Sequence, residues 1–235
     1  MTRVRLTLKQ APVLRVDLRG VTPAALSGLA PAQIERLTVT HGTQTLALAE
    51  WFAVHCDDTS DGAAELLLEG DLSRVDRIGW QLAGGRIVVA GPVGDYAGAC
   101  MSAGEMQVQG RAGMLAACEM TGGMLTIEGD VGDHAASSLP GSMDGMRGGT
   151  LIVRGNAGDR FADRMRRGSL VFAGPPPALS PTFVPAIAAA DVIWQLLARD
   201  LARHGGPFAW LPARRIVRHL GDLAADGRGE LIVAA

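Results

Sequence analysis

Across residues 64–174 one short pattern returns at a nearly fixed period, and this constrains the fold more than any other feature of the chain. Its clearest copies are GRIVVAGPVG from Gly85, GEMQVQGRAG from Gly104, GMLTIEGDVG from Gly123, GTLIVRGNAG from Gly149 and GSLVFAG from Gly168. Six residues after each opening glycine stands a second, at Gly91, Gly110, Gly129, Gly155 and Gly174. Three further on stands a third, at Gly94, Gly113, Gly132 and Gly158. The copies start 19, 19, 26 and 19 residues apart, and a degraded copy, AELLLEGDLS, begins at Ala64 with Ser73 in place of the third glycine.

Inside each copy the second and fourth residues after the opening position are apolar: Leu66 and Leu68, Ile87 and Val89, Met106 and Val108, Leu125 and Ile127, Leu151 and Val153, Leu170 and Phe172. Alternation of period two is the mark of a strand with one buried face. The residues between include Arg86, Glu105, Gln107, Thr126, Glu128 and Arg154, which predicts a wet outer face. Nineteen residues are too few for a strand, a crossover helix and a return, but they suit a coil of short strands whose turns stack in parallel. Glycines at matched positions then mark corners where the backbone is left-handed or closely approached. The expected fold is mainly all-β: a right-handed parallel β-helix with a small N-terminal α/β cap and a C-terminal helix.

Leu82, Met101, Met120, Met146 and Met165 each stand three residues before an opening glycine, and stacking would put them in one apolar column at a coil corner. The 26-residue interval holds seven extra residues, placed within His134–Met146 and expected to protrude from the wall.

The expected organisation is an N-terminal cap over 1–61, the repeats over 62–178, and a helix with a tail over 179–235. In the first part Val4–Leu8 and Val13–Leu18 read as strands, Thr22-Pro23 as the cap of a helical turn and Ala32–Leu37 as a second turn. A hairpin is expected around His41-Gly42-Thr43, with Trp51 and Phe52 as anchors. Such a module has a mechanical purpose, because an uncovered strand edge invites aggregation. After Gly174, PPPALSPTFVP cannot continue a ladder, since proline lacks a backbone donor. AIAAADVIWQLLARDLARHGG reads as a helix with Ile187, Val192, Ile193, Leu196, Leu197 and Leu201 on its apolar side and Gly205 as its stop. Glu230–Val233 is available as a further strand.

With a net charge near −2 the chain is a poor candidate for a dedicated nucleic-acid binder, and one Tyr and five Phe leave it without stacking platforms for single strands. The N-terminus lacks the apolar core of a signal peptide, no run reaches the length of a membrane span, and Cys56, Cys100 and Cys118 form no CxxC pair. A cytoplasmic setting is expected.

Three groupings invite chemistry. His55, Cys56, Asp57 and Asp58 are consecutive and so alternate between faces, which spoils them as a metal site. His134 with Asp133 and Ser137 or Ser138 has no nucleophile elbow, and Asp95, Asp133 and Asp159, each following a third glycine, have the wrong period for a calcium roll. No metal and no catalytic residue is assigned. The remaining feature is a cluster of arginines, Arg147, Arg154, Arg160, Arg164, Arg166 and Arg167, within 21 residues whose only acids are Asp159 and Asp163. It suits an acidic partner surface or a polycarboxylate ligand.

The GxxxxxGxxG arrangement, above all GMRGGTLIVRGNAGDRFADRMRRGSLVFAG, resembles the C-type subunit of formylmethanofuran dehydrogenase and the corresponding subunit of the formyltransferase/hydrolase complex of methylotrophic bacteria. The C-terminal domain of the glutamate synthase large subunit shares the repeat. HGTQTLALAEWFAV, GDLSRVDRIG and GDLAADGRGEL extend the likeness over most of the chain, while Ala64, Ser73, Ala117 and Ala162 stand where the pattern has glycine. The resemblance implies the right-handed β-helix and a non-catalytic scaffold subunit in a cytoplasmic hetero-oligomer. Its implied partners are formyl hydrolase, formyltransferase and dehydrogenase-B-like subunits. The complex would move a formyl group between tetrahydromethanopterin and methanofuran, or an analogue, and release formate, with no cofactor held by this chain alone. Ala- and Arg-rich composition with Lys9 as the one lysine favours the methylotroph complex over the tungsten or molybdenum dehydrogenase. A stand-alone hexapeptide-repeat acyltransferase would use coils of eighteen residues and not nineteen.

Overall fold

The computed structural model describes residues 2–58, 64–186, 191–203, 209, 211–213 and 215–234. The expected boundary between 61 and 62, together with Ile187 and Gly205, lies outside them. In the N-terminal part, strand β1 (Thr2–Leu8) is followed by β2 (Val16–Asp17) and two short helices, α1 (Pro23–Leu26) and α2 (Pro31–Glu35). Thr22 caps α1 by accepting the Ala25 N–H at 3.3 Å, and Pro23 opens the helix where a missing donor does no harm. β3 (Thr38–His41) and β4 (Gln44–Ala47) form the expected hairpin, and β5 (Phe52–Asp58) follows, with Trp51 and Phe52 buried.

The repeats supply β6 (Glu65–Glu69), β7 (Val75–Asp76), β8 (Ala83–Ala90), β9 (Ala103–Val108), β10 (Thr121–Ile127), β11 (Arg147–Val153) and β12 (Arg167–Phe172). The C-terminal part adds β13 (Val184–Pro185), α3 (Asp191–Ala202), β14 (Ile216–Gly221) and β15 (Gly229–Ala234). The described strands form a 4-stranded sheet, β4-β3-β2-β7, and an 11-stranded one in the order β13-β14-β15-β12-β11-β10-β9-β8-β6-β1-β5. From β1 to β15 the neighbours in the large sheet run parallel, while β5 at one margin and β14 and β13 at the other run antiparallel. The sheet is therefore mixed, its parallel centre closed at both margins by strands from outside the repeat.

Register explains the apolar spacing. Leu6, Leu68, Val89, Val108, Ile127, Val153, Phe172 and Val233 lie opposite one another across the strands, as do Val4, Leu66, Ile87, Met106, Leu125, Leu151, Leu170 and Leu231. All are buried in one core. Beyond the second glycine a short parallel ladder joins Leu72 to Val93, and Ala112 to Val131 to Ala157.

Two different constraints fix the glycines. The opening glycine is left-handed, as at Gly104 (φ +84°), which an L side chain adopts only with strain. The second glycine is a matter of space: a Cβ on Gly110 would lie 2.5 Å from the Pro92 nitrogen and 2.6 Å from the Gly91 carbonyl carbon, both backbone of the preceding repeat. The methionine column is buried as expected, and it uses the first constraint. A Cβ on Gly123 would stand 2.6 Å from the Met101 Cε, so the methionine of one repeat fills the space that the next leaves empty. Ala117 and Ala162 keep the left-handed conformation despite their Cβ (φ 55° and 56°).

The outer face departs from expectation. On its N-terminal half it is polar, with Arg3–Glu65 at 2.5 Å and Arg86 between Glu65 and Glu105. On β11, β12 and β15 the outward positions are Ile152, Val171 and Ile232, buried under Trp194, Ala198 and Leu201 of α3. Of the predicted apolar side of α3, Leu201 is buried and Leu197 packs against the same cluster, whereas Val192 and Leu196 are exposed and Trp194 and Ala198 face inward in their place.

Candidate functional site

Aspartates at matched positions of successive repeats hold the ladder together, Asp95 and Asp133 directly after third glycines and Asp76 after Val75. Asp76 Oδ1 accepts the Asp95 N–H (2.9 Å), Asp95 Oδ1 the Met114 N–H (2.9 Å) and Asp133 Oδ1 the Asp159 N–H (2.8 Å). Each carboxylate caps a donor one repeat further on. Ser137 Oγ donates to the His134 carbonyl at 2.6 Å and not to an imidazole, so this pair is a turn and not a hydrolytic grouping. Along β5, His55 and Asp57 are exposed while Cys56 turns inward, and burial, then the charge of Asp57, raises its thiol pKa. Burial also raises the Cys118 thiol far above its ordinary value. Among the described residues no cluster of His, Cys, Asp or Glu has the makings of a metal site.

The structure divides the arginine cluster. Arg154 lies just past the C-terminal end of β11 and Arg147 at its start, so at ~3.3 Å per residue they are about 20 Å apart. Arg166 is engaged: its Nε donates to Asp144 Oδ1 at 2.7 Å and its Nη1 to the Ala225 carbonyl. Arg164 Nη1 donates to the Ser142 carbonyl at 2.8 Å, and Arg160 pairs with Asp163 at 3.6 Å. Arg147 and Arg167 are register partners on adjacent strands, both exposed, with no ion pair among the described residues. Arg228 extends the same rim, its N–H donating to the Arg166 carbonyl at 2.8 Å. Its distance in sequence, and not its chemistry, hid it from the pattern.

The inserted segment lines one of two clefts that share Asp163. Repeat register resumes at Gly145, whose N–H donates to the Arg164 carbonyl, so the extra residues are 138–144. They do protrude at the tip, where Met143 is 70% exposed, but the base is fastened by Arg164, by Arg166 and by the Leu139 N–H on Glu119 Oε1 (3.2 Å). Replacing Arg166 with alanine is expected to speed thermolysin cleavage inside 138–144 severalfold while the sheet stays folded; unchanged cutting would show that Arg166 does not hold the loop. One cleft, of about 250 Å³, runs between the loop and Leu115, His134 and Asp163. The other, of about 300 Å³, lies between Arg160, Phe161 and Asp163 and the C-terminal residues Thr182, Phe183 and Asp222.

No protein-family profile matches the sequence. The chain is 39% identical, over 94% of its length and 96% of the relative's, to the C-type subunit of the Fhc formyltransferase/hydrolase complex of Methylorubrum extorquens. It is 31% identical to the C-type subunit of the tungsten-containing formylmethanofuran dehydrogenase 2 of Methanothermobacter thermautotrophicus, over 42% of this chain and 37% of that one. Among solved structures it is similar to a chain in the X-ray crystal structure of the formyltransferase/hydrolase complex (FhcABCD) from Methylorubrum extorquens in complex with methylofuran, with a TM-score of 0.72 and 35% identity over 98% of this chain and 99% of that chain.

Proposed function

Because the chain belongs to the family of C-type subunits of the formyltransferase/hydrolase complex, we propose that within such a complex it is a non-catalytic scaffold. The reading rests on the ladder: Asp95, Asp133 and the His134–Ser137 turn, the groups best suited to chemistry, are spent on backbone bonds between repeats. Its partners are a formyl hydrolase, a formyltransferase and a dehydrogenase-B-like subunit. The complex moves the formyl group between tetrahydromethanopterin and methanofuran or an analogue and releases formate, in the cytoplasm. Residues 62–178 form a right-handed parallel β-helix, a reading supported by the parallel register, the second ladder of bridges and the right-handed preference of parallel crossovers. Residues 1–61 and 179–235 cap its ends.

The exposed arginines receive the carboxylate-rich tail of the furan coenzyme. Arg147 and Arg167 are the best placed, Arg160 and Arg164 stand beside the clefts, Arg154 is remote and Arg166 contributes to the frame. The first test is purification of the tagged chain from its host. Co-elution with a formyl hydrolase and a formyltransferase is expected, whereas co-elution with a tungsten or molybdenum subunit would move the chain to the dehydrogenase. The second is R147E/R167E, expected to slow formyl transfer about tenfold at low salt with the complex intact, the worth of one or two exposed guanidinium–carboxylate contacts. An unchanged rate would remove the coenzyme role.

A further inference from the structure

The described methionines divide by exposure. Those of the corner column are buried, and the most exposed are Met114, at 46%, and Met143, at 70% on the tip of the 138–144 loop. The two differ in what meets the sulfur. Arg164 Nη1 stands 3.6 Å from Met143 Sδ and donates to the adjacent Ser142 carbonyl at 2.8 Å, whereas among the described residues no donor reaches the sulfur of Met114. Arg164 is itself held in place: its N–H donates to Asp222 Oδ2 at 3.1 Å, and its carbonyl accepts the Gly145 N–H at 2.8 Å. A fixed cation therefore faces the most exposed of the described thioethers, and a thioether is only a weak acceptor. One added atom changes that. When peroxide oxidises a thioether, a sulfur lone pair forms the S–O bond, the O–O bond breaks, and the second oxygen takes up the proton and leaves as water, so sulfur gives two electrons and the peroxide receives them. The sulfoxide oxygen is a polar acceptor fit for a charge-assisted bond, and the unbranched Met143 side chain lets it turn toward the guanidinium.

From this geometry we infer that Met143 is a site of reversible oxidation by peroxide, and that its sulfoxide fastens the tip of the 138–144 loop to Arg164. Oxidation of a core methionine disrupts packing, but Met143 stands outside the core and has no such packing to lose. Pro140, Gly141 and Ser142 wall the smaller cleft together with Arg164, so the oxidised form holds that wall more firmly than the reduced one. A methionine sulfoxide reductase returns the loop to its looser state. The inference needs only the loop and Arg164, and it is independent of the assembly reading above.

The test treats the full chain, as purified, with dilute hydrogen peroxide, maps the added oxygen by peptide mass spectrometry, and follows hydrogen exchange over 138–146 before and after. Met143 is expected to take up one oxygen before Met114 does, and loop exchange is expected to slow about threefold, the gain of one hydrogen bond to a charged group. Reductase treatment restores the original rate. In R164A the loop exchanges faster from the outset and oxidation no longer slows it, and in M143L peroxide leaves the loop unchanged. Met114 oxidised first, or loop exchange unchanged or faster in the oxidised wild-type chain, overturns the inference. So does slowing that persists in R164A or in M143L. If R164A melts early, the comparison with M143L decides.

Discussion

Gly110→Ala is expected to cost the fold about 3–5 kcal/mol, at the top of the range for a single substitution. The added Cβ would meet the Pro92 nitrogen at 2.5 Å, the Gly91 carbonyl carbon at 2.6 Å and its oxygen at 2.7 Å. All three are backbone atoms of the neighbouring repeat, so no side chain can swing aside. Relief requires two rungs to separate, and with them the 2.8 Å bond from the Val93 N–H to the Arg111 carbonyl and the 3.0 Å bond from the Gly113 N–H to the Gly94 carbonyl. Gly141 is the control. It is left-handed at φ +86° with nothing within 4 Å of its missing Cβ, so Gly141→Ala carries only conformational strain, about 1 kcal/mol. Denaturant midpoints for the two variants measure the difference. Equal losses would mean that close approach between repeats is not what Gly110 provides.

Trp194→Ala is expected to cost about 3–5 kcal/mol of the stability of the C-terminal part, as for other buried aromatics truncated to alanine. Trp194 packs with Ala198 and Leu201 on the outward residues Ile152, Val171 and Ile232. Leu196→Ala, at a position 62% exposed, should change stability by no more than about 0.5 kcal/mol. Hydrogen exchange in α3 and β15 locates the loss. A large effect at Leu196 and a small one at Trp194 would restore the helix face expected from the sequence.

That reversal shows where the sequence is legible and where it is not. The inward columns were readable because strand alternation and repeat length both point to the same residues, and register then places Leu68, Val89 and Val108 side by side. The outward face was misread from the same strings. GTLIV and GSLVF are continuous apolar runs, the signature of a strand covered on both faces, yet a period-two reading scores only every second residue. For α3 the expected apolar side is half right: Leu197 and Leu201 pack toward the sheet, but Trp194 and Ala198 complete the stripe where Val192 and Leu196 are expected, because several helix faces satisfy so short a pattern. The arginine cluster failed differently. Nearness in sequence put Arg147 and Arg154 together, while an extended strand holds them at its two ends and brings in Arg228 from the far terminus.

The pairing distances along the chain also say something about how the molecule comes together. In the middle of the large sheet, partners such as Ile87 and Met106 are one repeat apart in sequence. At the margins, Arg3 pairs with Glu65 and Ser169 with Glu230 across about three times that length of chain. Closing the longer loops costs on the order of 1 kcal/mol more in chain entropy, and each terminal strand needs a finished neighbour to dock against. The central rungs can therefore form from their own neighbourhood while the chain is still being made, whereas the C-terminal margin, with α3 and the cleft-lining residues Thr182, Phe183 and Asp222, can be completed only after synthesis has passed Glu230.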